Sequence, residues 1–327
     1  MKKLRVKIIK AIAKDMKGKE KIGIGMIYLI WVLVAGCSHS EDDAVVPKDK
    51  DVKTRLLTFT QVENRGSRAV LNEDDENGLS ALWNSGDQLG CCNLATLEYD
   101  IFASERISTG TLTAQDDGVT TSIFQGTMSC DEKDLLAVIY PAKEFDYVLD
   151  NGEYFAKYTI TLSGQDGTLE KLANSYHYMY GVATVNSVTS SMAEATGEMK
   201  SLLAVCKFSF KDENNNGISV KELEISFEKN GVQGDIGTYP QTANVTCNIN
   251  QEAVFADAVR SNDPLIIQTV LGSDSQYPTD VYVALLPVTT RTFRFNVTDA
   301  NGGTYTGKAM ATLQAGEYVV ASLPVKN

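Results

Sequence analysis

Proton transfer, nucleophilic attack and metal binding each need particular side chains at particular spacings, and this chain of 327 residues offers few of them. It has two histidines, His39 and His177. A Ser/His/Asp triad would have to use His177, within Tyr176-His177-Tyr178-Met179-Tyr180, yet no Gly-x-Ser-x-Gly turn presents a serine. His177 therefore reads as a strand or edge histidine among tyrosines. Cys91 and Cys92 are adjacent rather than spaced by two residues, as a zinc pair requires. Asp212-Glu213-Asn214-Asn215-Asn216-Gly217 begins like a calcium loop, but its twelfth position is Leu223 where a bidentate glutamate belongs, so a turn is expected there. Carboxylates are plentiful, and no pair of them stands out as a glycosidase pair. Neither a P-loop nor a G-x-G-x-x-G after a strand occurs. The expectation is a protein with no catalytic residues, no cofactor and no metal.

Cys37 is the one residue whose setting specifies a chemical modification. Fifteen uncharged residues, Ile22 to Gly36, precede it, and nine Lys/Arg stand ahead of them against Asp15 and Glu20. A positive segment, an apolar segment and small residues before a cut have the anatomy of a secretory signal. Val34-Ala35-Gly36-Cys37 resembles a bacterial lipobox, which implies a thioether from Cys37 to diacylglycerol and acylation of the new amino group. Each buried CH₂ contributes about 0.8 kcal/mol, and stable anchoring takes more than one chain. An uncleaved membrane helix is the alternative, but a core of about 30 Å needs about 20 residues. Translation from Met16 instead of Met1 would leave this reading unchanged. Residues 1–36 are thus expected to be a signal peptide and 37–54 an acidic tether. The cluster Ser40-Glu41-Asp42-Asp43 resembles the signal that sends some lipoproteins to the outer face of the outer membrane; plain linker charge is the alternative.

Charge excludes one class of partner. Nine of the 30 basic residues and two of the 42 acidic ones precede Cys37, which leaves 21 against 40, a net of about −19. Such a surface repels nucleic acid and anionic lipid. The 291 residues from Cys37 to Asn327 suffice for two ordinary domains. Cys91, Cys92, Cys130, Cys206 and Cys247 are odd in number and irregular in spacing, so no required disulfide is expected. Cys206 falls on the apolar face of a strand, as a buried free thiol would.

The elements that must carry any site are strands. Leu57 and Phe59 alternate with Thr58 and Thr60, and a loop with Arg65 and Arg68 follows. Leu135 to Tyr140 is nearly all apolar and reads as a central strand covered on both faces. Leu169 to Tyr176 reads as a short helix. A Ser/Thr/Ala/Glu-rich stretch, Val188 to Gly197, reads from its composition as an interruption of the strands, and the boundary between residues 55–197 and 198–327 is placed there. Beyond it, Cys206, Phe208 and Phe210, then Leu223, Ile225 and Phe227, then Phe293, Phe295 and Val297 alternate with polar residues. Asn230-Gly231 is a favoured type I′ hairpin pair. Many short strands at 8–12-residue spacing indicate an all-β protein of antiparallel sandwiches.

The order of these features resembles the fimbrillin-like lipoproteins, donor-strand pilus subunits of anaerobic Gram-negative bacteria. The resemblance rests on the lipobox, the tether, T-F-T at 58–60, N-R-G-S-R-A at 64–69 and W-N-S-G-D-Q-L-G at 83–90. A-V-I-Y-P-A (137–142), L-L-A-V-C-K-F-S-F (202–210), V-A-L-L-P-V (283–288) and V-T-D-A-N-G-G-T-Y with L-Q-A-G-E-Y (297–318) extend it over most of the mature chain. It implies two tandem transthyretin-like Greek-key sandwiches. It also implies that an arginine-specific protease cuts after an early strand, and that a strand from another subunit fills the groove. Carried onto this chain, Leu56 to Val62 with Leu57 and Phe59 would be released by a cut after Arg68 or, less favourably, Arg65; a cut after Arg55, the other less favoured alternative, would leave the strand in place. The incoming strand would be Tyr318 to Val325, with Tyr318, Val320 and Leu323. The implied partners are other fimbrial subunits, the protease, outer-membrane lipid through Cys37 and a host or glycan ligand. The implied location is the outer membrane and cell surface. An arginine loop that no protease reads is the alternative for Arg68. A monomeric surface lipoprotein that binds a glycan or host ligand is the alternative for the whole chain.

Overall fold

The computed structural model describes residues 53–62, 70–74, 78–94, 109–143, 146–150, 153–228, 237–247, 253–259 and 263–327. In chain order the strands are β1 (Thr54–Gln61), β2 (Val70–Asp74), β3 (Gly78–Leu82), β4 (Gln88–Asn93), β5 (Thr109–Ala114), β6 (Ile123–Ser129), β7 (Leu135–Tyr140), β8 (Asp146–Asp150) and β9 (Glu153–Thr161). The helix α1 (Leu169–Ser175) comes next, capped by the Thr168 hydroxyl, which accepts from the Lys171 N–H. Then follow β10 (Met179–Val188), β11 (Met192–Ser201), β12 (Ala204–Lys211), β13 (Val220–Phe227), β14 (Thr242–Cys247), β15 (Ala253–Val259) and β16 (Leu265–Gln268). The last four are β17 (Asp280–Leu285), β18 (Val288–Asp299), β19 (Thr304–Leu313) and β20 (Tyr318–Pro324). The described residues are nearly all β, with α1 their one helix.

Seven strands close into a barrel in the order β1-β11-β10-β7-β4-β5-β6, with β6 returning to β1. Its interior is an apolar cluster that includes Leu57, Phe59, Trp83, Phe124, Leu136 and Met199. The Trp83 ring meets Phe124 and Tyr140 edge-on, at 4.9 and 5.1 Å between centroids. Gly126 on β6 leaves room for β5: a Cβ there would lie 2.2 Å from the Thr111 carbonyl oxygen. Strand β7 lies between β4 and β10 and is buried on both faces, as its apolar run leads one to expect. Leu136, Val138 and Tyr140 join the barrel interior, while Ala137 and Ile139 join a second, larger cluster.

That second cluster is built on two sheets, one of order β17-β12-β20 and one of order β16-β13-β18-β19. Phe208, Phe210, Phe293 and Phe295 form its aromatic centre, with Phe208 and Phe295 at 5.1 Å. A further sheet, β15-β14-β9-β8, draws strands from both sides of residues 197/198. Cys206 is buried in the second cluster, and Cys91, Cys92, Cys130 and Cys206 are all free thiols.

One local expectation is corrected. The stretch Val188–Gly197 does not interrupt the strands: β10 turns there into β11, a strand inside the barrel sheet. Its small residues conceal the pattern, because Ala193 and Ala195 point inward while Glu194 and Thr196 stay outside. Strand β13 ends at Phe227, which exchanges backbone hydrogen bonds with Gly237 and Thr238. It lies between β16 and β18, whereas the next strand, β14, pairs with β9 and β15. Asn230 and Gly231 lie outside the described residues.

Candidate functional site

The sequence points to β1 and its seat. Along this strand Arg55, Leu57, Phe59 and Gln61 alternate inward against exposed Leu56 and Thr60. It runs parallel to β11, with Leu57 opposite Ala193, and antiparallel to β6, with Leu57 opposite Gly126. Both ladder edges of β1 are thus occupied, and its removal would expose an edge on β6 and another on β11. The side chains of Leu57 and Phe59 are 0% and 1% exposed. The Phe59 ring lies 5.9 Å from Phe124. Burial of each such side chain stabilises by about 1.5–3 kcal/mol. At the far end of β1, the Gln61 amide oxygen accepts the Trp83 indole N–H at 2.6 Å.

At the near end, Arg55 is only 7% exposed. Its Nε donates to the Thr189 carbonyl at 2.7 Å, and Nη1 donates to the carbonyls of Lys53 and Cys130. Nη1 is also 3.2 Å from Asp131 Oδ1. A guanidinium engaged in this way cannot enter a protease pocket without local unfolding. Arg65 and Arg68, the other two candidate processing residues, lie outside the described residues, as do Cys37 and His39.

The strand expected to act as donor, β20, is an edge strand that runs parallel to β12. Leu323 is buried, Tyr318 is half-buried and Val320 is 63% exposed. An isolated bridge between Thr306 and Lys326 joins the chain after β20 to β19.

Two of the residues weighed for chemistry, His177 and Asp212, make local hydrogen bonds. His177 is buried, and its Nε2 lies 2.9 Å from the Ser201 hydroxyl. The Asp212 carboxylate accepts from the backbone N–H groups of Asn214 and Asn216 and from the Asn216 amide, bonds that hold its pKa below the usual carboxylate value. That is the turn expected from Leu223 at the twelfth position. Among the described residues no group of three or more His, Cys, Asp or Glu could hold a metal ion. Nor is any described helix long and apolar enough to cross a membrane.

The sequence gives little sign of a cleft of about 520 Å³ beside the segment that joins β16 to β17, lined by that segment, the start of β17, Gly167 to Leu169 and Ser219. The one available signal is Val270-Leu271, two adjacent large aliphatic residues outside any alternating pattern.

No protein-family model matches the chain, and no curated protein matches it. Solved structures do resemble it. One is described as a candidate cell adhesion protein from Bacteroides ovatus, with 15% identity and a TM-score of 0.49; the match covers 84% of this chain and 92% of that one. A second, described in the same words, is from Bacteroides uniformis, with 12% identity, coverage of 86% and 94%, and a TM-score of 0.46. A third is a fimbrial protein from Bacteroides ovatus, with 10% identity, coverage of 83% and 50%, and a TM-score of 0.36. These structural neighbours are described as candidate cell-adhesion proteins and a fimbrial protein. At identities and TM-scores this low, its own function has to be read from its residues.

Proposed function

We propose that this chain is a surface lipoprotein anchored through Cys37, which serves as a fimbrial subunit or pilus-associated adhesin and assembles by protease-triggered exchange of β1. The reading treats the barrel as the first of two tandem sandwich domains; because the expected boundary at 197/198 falls inside β11, the division is placed after Ser201. One observation carries it: β1 closes the barrel with a two-sided ladder and an inward Leu57/Phe59 pair, and the arginine-bearing segment 63–69 follows it directly. A cut after Arg68 would separate β1 from the rest of the barrel. Its loss would uncover two ladder edges and an apolar slot, which a foreign strand could fill by β-augmentation. The replacement must run in the direction of β1 and offer apolar residues two apart. Of the expected donor residues, Tyr318 and Val320 have that spacing, whereas Leu323 shares its face with Val319 and Ala321. The buried guanidinium of Arg55 favours Arg68 and Arg65 over Arg55 as the cut site.

The test is brief digestion of the soluble chain 38–327 with an arginine-specific protease, followed by N-terminal sequencing, non-boiled electrophoresis and electron microscopy. A new terminus at Ala69 together with ladders or filaments is expected. A clean cut that leaves monomers would confine the chain to a tip or anchor position. Resistance at both Arg65 and Arg68 would remove the proposed trigger.

A further inference from the structure

We infer that the cleft beside the segment joining β16 to β17 binds an uncharged saccharide. The cleft shares no residue with the seat of β1, so an uncleaved monomer carries it, and its test does not depend on strand exchange. Its volume falls within the range of small-molecule sites.

The wall is of two kinds. Val270 and Leu271 are 47% and 53% exposed and follow β16 after one residue, the buried Thr269; continued strand alternation would have buried Leu271. Tyr277 and Tyr282, both half-buried, add aromatic surface. Against these stand the Asp274 carboxylate and the Gln276 carboxamide, both exposed, on a turn closed by the Gly272 N–H to the Gln276 carbonyl at 2.8 Å. Asp274 Oδ1 accepts the Gln276 N–H at 3.1 Å, so one carboxylate oxygen is used locally and the other faces no partner within the turn. The Pro278 carbonyl accepts the Val220 N–H at 2.8 Å and fixes the other end of the segment to β13. Aliphatic and aromatic surface beside a few fixed polar groups suits a pyranose, whose C–H face is apolar while its rim is a ring of hydroxyls.

Charge narrows the class further. Among the described residues, no lysine, arginine or histidine lines the cleft. A cation beside it, Lys207, is 3.4 Å from Asp280 Oδ2 and 5.5 Å from the centre of the Tyr282 ring. Lys207 thus compensates Asp280, and the exposed Asp274 carboxylate, with no cation among the lining residues, disfavours sialylated or sulfated sugars and nucleotides.

Saturation-transfer NMR on the uncleaved soluble chain 38–327 tests this with methyl glycosides of glucose, galactose, mannose, fucose and N-acetylglucosamine, and with free sialic acid as the anionic probe. At least one neutral glycoside should receive saturation, with a dissociation constant on the order of millimolar, and sialic acid should receive none. Tyr277→Ala should weaken binding by about tenfold or more, as should Leu271→Asp, which alters an exposed residue and leaves the thermal midpoint unchanged. Absence of transfer to every neutral glycoside would overturn the proposal. So would binding that survives both variants, or a preference for sialic acid.

Discussion

Leu57, Phe59 and Gln61 do different work on one strand. Phe59→Ala removes a ring packed against Phe124 and leaves a cavity in the barrel; a loss of about 3–5 kcal/mol is expected in urea denaturation. Gln61→Ala leaves the Trp83 indole without the oxygen it donates to, and about 1–3 kcal/mol should be lost. Phe59 is legible as inward from the alternation of β1, but the Gln61–Trp83 bond joins residues 22 apart in the chain and no pattern announces it. The cysteines carry a separate expectation. Burial pushes the Cys206 thiol up to about 12 and the Cys130 thiol up to about 11, although Arg55 pulls the latter down. Because a raised pKa keeps the reactive thiolate scarce, alkylation of Cys206 and Cys130 at pH 8 should be negligible in the folded chain and rapid in urea. Peptide mass spectrometry after iodoacetamide treatment reads both states. Fast labelling without urea would show that these strands open readily.

Among the elements, β1 and β6 decide whether the barrel can exchange a strand. A synthetic peptide of residues 54–62 should compete for the slot left by cleavage and suppress ladders in proportion to its concentration; ladders that ignore the peptide would mean that contacts elsewhere hold the polymer. Gly126→Ala puts a methyl group against the Thr111 carbonyl and must push β5 from β6, at a cost of about 1–3 kcal/mol. The apolar alternation of β1, β12 and β13 and the unbroken apolar run of β7 mark each of them as a strand from residue order alone. Strand β11 escapes such a reading because alanine fills its inward positions, where the barrel has little space, and alanine carries almost no hydrophobic signal. The partner choice of β13 escapes for another reason. A hairpin signal is local, whereas pairing with β16 and β18 is decided by which apolar faces can be buried together across long stretches of chain.

The whole molecule combines a proposed lipid tether with an acidic body. Cys37→Ser should abolish labelling by radioactive palmitate and shift the protein from the detergent phase to the aqueous phase in Triton X-114 partitioning. Unchanged partitioning would point to an uncleaved apolar segment as the anchor. A net charge of about −19 after residue 36 predicts no retention on heparin or DNA at physiological salt, where screening acts over about 8 Å. Binding to either would require a basic patch that the composition gives little reason to expect.

By itself the sequence determined the strand-rich class, the lipid-bearing cysteine as an expectation, the inward face of β1 and the absence of recognisable catalytic spacing. These follow from local period, residue type and order, which folding does not alter. Only the tertiary structure decided that β1 closes a barrel between β6 and β11, that Arg55 is buried against Thr189 and Asp131, and that 270–282 lines a cleft with Gly167 and Ser219. Each of these joins residues far apart in the chain. Their proximity is set by which apolar faces can be buried at once, and no window of neighbouring residues contains that information.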